Sequence, residues 1–159
     1  MIYRPDYMDA LKAFKDKPLV KILTGVRRCG KSTIFQMFKE ELIREGVSQD
    51  HIIEKRYTDM DIPESITAKQ MYDELAEDIG VKEYCYFLLD EIQEVPGWEK
   101  AINNLLEAGK ADIYITGSNS KLMSSEISTY LTGRYIQIPV FTLSYKEYLE
   151  FKKESDKSK

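Results

Sequence analysis

Strands and helices alternate along the 159 residues, which predicts an α/β domain with a mostly parallel sheet covered by helices on both faces. Three observations carry that prediction. The runs LVKILT (19–24), YCYFLL (84–89) and DIYIT (112–116) are short and nearly continuously apolar, as strands buried on both faces are. The segments between them space their apolar residues at three and four, the helical interval. The connections are short and marked by Gly, Pro, Ser and Asp, so each helix returns the chain promptly to the next strand.

Taken in order, Asp6 to Lys17 places Tyr7, Leu11 and Phe14 on one side and predicts a helix stopped by Pro18. Leu19–Thr24 is the first strand. After Lys31, the residues Ile34, Phe35, Phe38, Leu42 and Ile43 form an apolar helix face that Gly46 closes. Ile52–Tyr57 (IIEKRY) is a weaker strand. Ala68–Ile79 reads as a helix with Thr67 as its amino-terminal cap and Gly80 as its stop. Tyr84–Leu89 is the strongest strand, and Trp98–Ala108 the next helix, with Trp98, Ile102, Leu105 and Leu106 on one side. Asp112–Thr116, a helix from Lys121 to Leu131 and a strand over Tyr135–Val140 complete the alternation. A core domain over residues 1–151 is expected, followed by a charged, frayed tail, KKESDKSK (152–159).

Composition bounds the function. Hydrophobic residues are 43% and charged residues 31%, ordinary for a folded chain that needs neither disulfides nor a structural metal. Against 27 acidic residues stand 23 basic ones, a net charge of −4, which argues against a wholly basic nucleic-acid surface. No apolar run is long enough to cross a membrane and no signal peptide is legible, so the expected location is the cytoplasm. Cys29 and Cys85 have no metal-ligand spacing and read as reduced thiols.

Between the first strand and its helix lie Gly25, Val26, Arg27, Arg28, Cys29, Gly30, Lys31 and Ser32, the full G-x-x-x-x-G-K-[ST] pattern in the context its mechanism requires. The glycines let the backbone wrap an anion, and the helix amino terminus adds partial positive charge. Lys31 is expected to reach the β and γ phosphates of a nucleotide, ATP accompanied by Mg²⁺. Ser32 would offer its hydroxyl to the metal, and Thr33 a hydrogen bond near the α phosphate. Arg27 and Arg28 either add phosphate contacts or project into solvent; Cys29 is an oxidation-sensitive thiol or simply a small residue.

Ligands bind at the carboxyl edge of a parallel sheet, so Asp90 and Glu91, at the end of YCYFLL, are expected beside that loop. Asp90 would hold Mg²⁺ through water, and Glu91 would polarise a water for attack on the γ phosphate. A small-molecule kinase has no need of this acidic step. After DIYIT, Asn119 is placed either to hydrogen-bond the γ phosphate or attacking water, or merely to cap the following helix. Arg134, after Gly133, either stabilises the transition state of a neighbouring subunit or makes a surface ion pair.

In these segments the chain resembles the AAA+ branch of P-loop ATPases, with GVRRCGKS as Walker A, YCYFLLDE as Walker B and ITGSN as a sensor-1 segment. LLDEIQEVPGWEKAINNL, TGSNSKLMSSEISTYLTGRY and FTLSYKEYLEF resemble a prokaryotic family of AAA-domain, archaeal-type ATP-binding proteins. The resemblance implies a three-layer P-loop NTPase sandwich with strand order 5-1-4-3-2. It implies ATP hydrolysis driving a conformational or assembly change, and it assigns Lys31 and Ser32 to phosphate and metal, Asp90 to metal, Glu91 to catalysis and Asn119 to sensor 1. Gln93 and Trp98 belong to the same signature. Members of the family continue into further domains, so the chain is expected to be the ATPase core of a longer protein, weakly active by itself. A nucleotide-gated interaction module, as a homo-oligomer or against a further domain and with a link to DNA transactions, is the alternative.

Overall fold

Five strands form one sheet: β1 (Val20–Thr24), β2 (Ile52–Arg56), β3 (Cys85–Asp90), β4 (Ala111–Gly117) and β5 (Tyr135–Pro139). Their order in the computed structural model, which describes residues 5–26, 30–118, 122 and 125–141, is β2-β3-β4-β1-β5. From the opposite edge this is the 5-1-4-3-2 order implied by the family resemblance. All four pairings are parallel, so the sheet is wholly rather than mostly parallel.

Side chains alternate across each strand, and two apolar layers result. Phe87 and Leu89 of β3 and Ile113 and Ile115 of β4 face α3 (Ala68–Ile79), α4 (Trp98–Glu107) and α5 (Ser125–Tyr130), through Met71, Leu75, Trp98, Ile102 and Ile127. Leu88, Tyr114 and Leu23 face the other way, onto α1 (Pro5–Ala13) and α2 (Lys31–Arg44), through Met8, Leu11, Ile34, Phe38 and Leu42. Strands covered on both faces have no polar side, which is why their sequences run apolar without alternation.

Most boundaries fall within a residue or two of expectation. Helix α3 has the expected limits, and its Thr67 side chain accepts from the Gln70 backbone while Gln70 reaches back, a reciprocal cap. The exception is α1, which ends at Ala13 rather than Lys17. The Asp16 N–H, which a longer helix would aim at its own carbonyl, donates instead to Asp112 Oδ2 at 2.9 Å, and Asp16 adopts φ 63°. Lys17 also precedes Pro18, a position that disfavours helix. Of the expected helix from Lys121 to Leu131, Leu122 and Ser125–Tyr130 are helical. The tail at 152–159 lies outside the described residues.

The amino-terminal edge of the sheet is held by a largely buried polar cluster with Asp16 at its exposed rim. Lys21 on β1, fully buried, donates to Asp112 Oδ1 at 2.5 Å and to the Lys17 carbonyl at 2.8 Å. Tyr114 donates to Asp112 Oδ2 at 2.6 Å, and Tyr86 to Asp16 at 2.8 Å. Burial pushes the Lys21 pKa down against the opposing pull of Asp112, and pushes the Tyr114 phenol far up.

Candidate functional site

The loop after β1 leaves the sheet at its carboxyl edge. Thr24 and Gly25 are buried, whereas Val26 is exposed; Arg27, Arg28 and Cys29 lie outside the described residues. Gly30 closes the loop in the left-handed region, φ 100°, as the residue before α2, a conformation glycine adopts without strain. It has no side chain to cap the helix, so the first-turn amides are left for an anion. Lys31, 4% exposed, folds back and donates to the carbonyls of Gly25 at 2.8 Å and Val26 at 3.2 Å. Its ammonium thus spans the mouth of the loop. Thr33, in the first turn of the helix, is exposed.

Ser32 ties this loop to the acidic pair. Its hydroxyl donates to Asp90 Oδ2 at 2.5 Å, and Thr116 near the end of β4 donates to Asp90 Oδ1. Arg56, paired with Asp90 across the β2–β3 register, places Nε 3.4 Å from Oδ2. Asp90 is therefore a buried carboxylate with donors on both oxygens and a guanidinium beside it. Glu91 follows in the left-handed region, φ 56°; its N–H donates to Thr116 Oγ1 at 3.0 Å, and its Oε2 accepts from Gln93 Nε2 at 2.6 Å. Since β4 lies between β1 and β3, its tip stands between the phosphate loop and the acids.

A cavity of about 190 Å³ opens here, lined by Ser32, Gln36, Arg56, Asp59 and Asp90 among others. A larger one, about 600 Å³, lies between α3 and α4 against Tyr72, Ala101 and Tyr130 and contains neither the loop residues nor Asp90 and Glu91. Among the described residues no group of three or more His, Cys, Asp or Glu is arranged to hold a metal by itself. The Ser32 hydroxyl and Asp90 carboxylate nevertheless fit a hard divalent ion that completes its shell with phosphate oxygens and water, the usual habit of Mg²⁺.

The structure thus brings together Gly25, Val26, Gly30, Lys31, Ser32, Asp90 and Glu91. Asn119 lies outside the described residues. Arg134 is placed elsewhere: it precedes β5 at the amino-terminal edge of the sheet, where its backbone carbonyl accepts from Val20. With strands rising about 3.3 Å per residue, it stands about 16 Å along the sheet from the loop. There it donates to Glu107 at 2.6 Å and Asn103 at 2.8 Å and holds the Glu107 carboxyl below its ordinary range. Within its own chain it is a surface ion pair rather than a contributor to this site.

Thr116 and Arg56 carry no role in the sequence reading. Thr116 gave one faint signal, a hydroxyl that follows the apolar run Ile113–Ile115 just before Gly117. Arg56 gave none, because its position opposite Asp90 depends on the β2–β3 register. Trp98 is buried at the start of α4, as its apolar spacing suggests.

Comparison with known proteins bears on the whole domain. The model of a family described as AAA domain matches residues 17–149. An uncharacterised protein of Haemophilus influenzae is 36% identical over 160 aligned residues, covering all of this chain and 40% of its own length. An uncharacterised protein of Methanocaldococcus jannaschii is 33% identical over 138 residues, covering 84% of this chain and 29% of its own. The chain therefore spans less than half the length of these curated relatives.

Among solved structures, a DNA polymerase III gamma subunit-related protein from Thermotoga maritima superposes with a TM-score of 0.65 at 16% identity, over 94% of this chain and 50% of that one. AMPPCP-bound DnaA from Aquifex aeolicus does so with a TM-score of 0.61 at 17% identity, over 97% and 50%. Among the described residues no helix is long and apolar enough to cross a membrane. The family match over 17–149, on a wholly parallel sheet with a glycine-lysine-serine loop at its carboxyl edge, means that this chain belongs to the AAA domain family of P-loop ATPases.

Proposed function

We propose that this chain binds ATP in the loop from Gly25 to Ser32 and hydrolyses it with Mg²⁺ where the ends of β1, β3 and β4 meet. The observation that carries this reading is the 2.5 Å contact of Ser32 with Asp90, which makes the phosphate loop and the acidic pair one site. A fold neighbour that holds AMPPCP, a nonhydrolysable ATP analogue, supports an adenine nucleotide as the ligand. Mg²⁺, held by Ser32 and through water by Asp90, would supply positive charge to the phosphate oxygens.

The remaining work falls to the chain's own residues. On binding, Lys31 exchanges the carbonyls of Gly25 and Val26 for phosphate oxygens, while the first-turn amides of α2 bind the anion. Glu91 accepts a proton from the attacking water. Asn119 contacts that water or the γ phosphate, and Arg134 would act only on the site of a neighbouring chain. Phosphate release from MgATP tests the reading. Glu91→Gln should lower turnover about 100-fold or more while nucleotide still binds, and Lys31→Ala should remove binding. A wild type that binds ATP but is as inactive as Glu91→Gln would refute hydrolysis.

A second reading is favoured by the share of each curated relative that the chain spans, 40% and 29%. On it, nucleotide binding gates contact with a further domain, another copy or DNA; one DnaA fold neighbour is described as bound to AMPPCP and single-stranded DNA. Sedimentation with and without AMPPCP separates the readings. An unchanged monomer in both conditions speaks against gated self-assembly.

A further inference from the structure

Gln93 has two polar atoms with different fates. Its Nε2 donates to Glu91 Oε2 at 2.6 Å, whereas its Oε1 is buried with no hydrogen-bond partner among the described residues. That oxygen lies against the last residue of β4: a Cβ built on Gly117 would stand 2.3 Å from it. The side chain is thus wedged between the Glu91 carboxylate and the β4 tip, and position 117 has room for it only because glycine has no Cβ. The backbone confines the pair as well. Glu91 is held in the left-handed region with its N–H on Thr116, and Gln93 rides on a short 3-10 turn, Ile92–Glu94, anchored by buried Ile92.

A buried amide oxygen without a donor is unfavourable. A side chain serving only as filler would be better apolar. A carboxylate at this position would have no proton to donate to Glu91 and would repel it. An amide of this length supplies the donor and bridges to β4.

We propose that Gln93 is a positioning residue for hydrolysis: its amide aims the Glu91 carboxylate at the attacking water and couples that aim to the β4 tip at Gly117. This rests on the hydrolytic reading above. Gln93→Met keeps the length and packing but removes the donor. It should lower kcat roughly tenfold or more, the usual effect of losing a residue that orients a reacting group. The apparent affinity for AMPPCP and the melting temperature should stay at wild-type values, since a residue that only aims the carboxylate contributes nothing to ground-state binding. Gln93→Glu should fall as far. Gly117→Ala, which retains Gln93 but fills the space of its Oε1, should lower kcat in the same way.

A second readout needs no turnover. In nucleotide-free protein labelled with ¹⁵N-glutamine, the Gln93 side-chain amide signal, identified by its loss in Gln93→Met, should move when Glu91 is replaced by Ala. If that signal stays in place, or if Gln93→Met turns over as fast as an active wild type, the positioning role is overturned while the hydrolytic reading stands. A wild type that releases no phosphate at all refutes both.

Discussion

Thr116 shows how much a single hydroxyl can organise. It donates to Asp90 and accepts from the Glu91 N–H, so one side chain on β4 fixes both acids at the end of β3. Thr116→Val keeps the shape and removes both bonds. Leaving a buried carboxylate oxygen and an amide unpaired should cost about 1–3 kcal/mol, measured by urea unfolding. On the proposed function, turnover should fall with it, since Asp90 loses the donor on Oδ1 and the backbone that carries Glu91 loses its tie to β4. The acidic pair and the loop were legible because their residue types and their places at strand ends are both written in one dimension. Thr116, Arg56 and Gln93 gain meaning only from neighbours 26, 34 and 2 residues away, through contacts that pairing or a left-handed turn creates. Arg134 was read for its glycine neighbour, and the β1–β5 register puts it at the opposite edge.

At the scale of elements, the attachment of α1 to α2 depends on charge as well as on packing. Lys12 of α1 lies 2.8 Å from Glu41 of α2, and together with Arg44 it holds the Glu41 carboxyl below its ordinary range. A lowered carboxyl pKa adds stability that is present above the unfolded value and lost as pH falls through the folded one. Stability should therefore decline on acidification below the ordinary carboxylate range. Glu41→Gln should flatten that part of the pH profile of urea unfolding; an unaltered profile would show that the pair is immaterial. The helices themselves were readable because an apolar stripe and a cap are local signals, as the match of α3 at both ends shows. The end of α1 was not, because it is set by Asp112, 96 residues distant from Asp16.

For the whole molecule, the two edges of the sheet are built differently. The amino-terminal edge holds the buried Lys21–Asp112 pair and Tyr114, with Tyr86 and the exposed Asp16 at its rim, while the carboxyl edge carries the loop and the acids. Asp112→Ala would leave a buried ammonium with only the Lys17 carbonyl and strand two donors, those of Tyr114 and Asp16. Losing one partner of such a pair costs about 3–5 kcal/mol. Lys21→Met leaves Asp112 with both of those donors, so it should destabilise the chain less; the opposite order in urea unfolding would contradict this account. The left-handed backbone of Glu91 has a consequence for selection in the laboratory. A non-glycine residue there carries strain of about 1–2 kcal/mol, which glycine relieves and Asn tolerates better. A library screened for heat tolerance alone should enrich replacements at position 91, yielding hardier proteins that have discarded the carboxylate, so durability and turnover must be selected together.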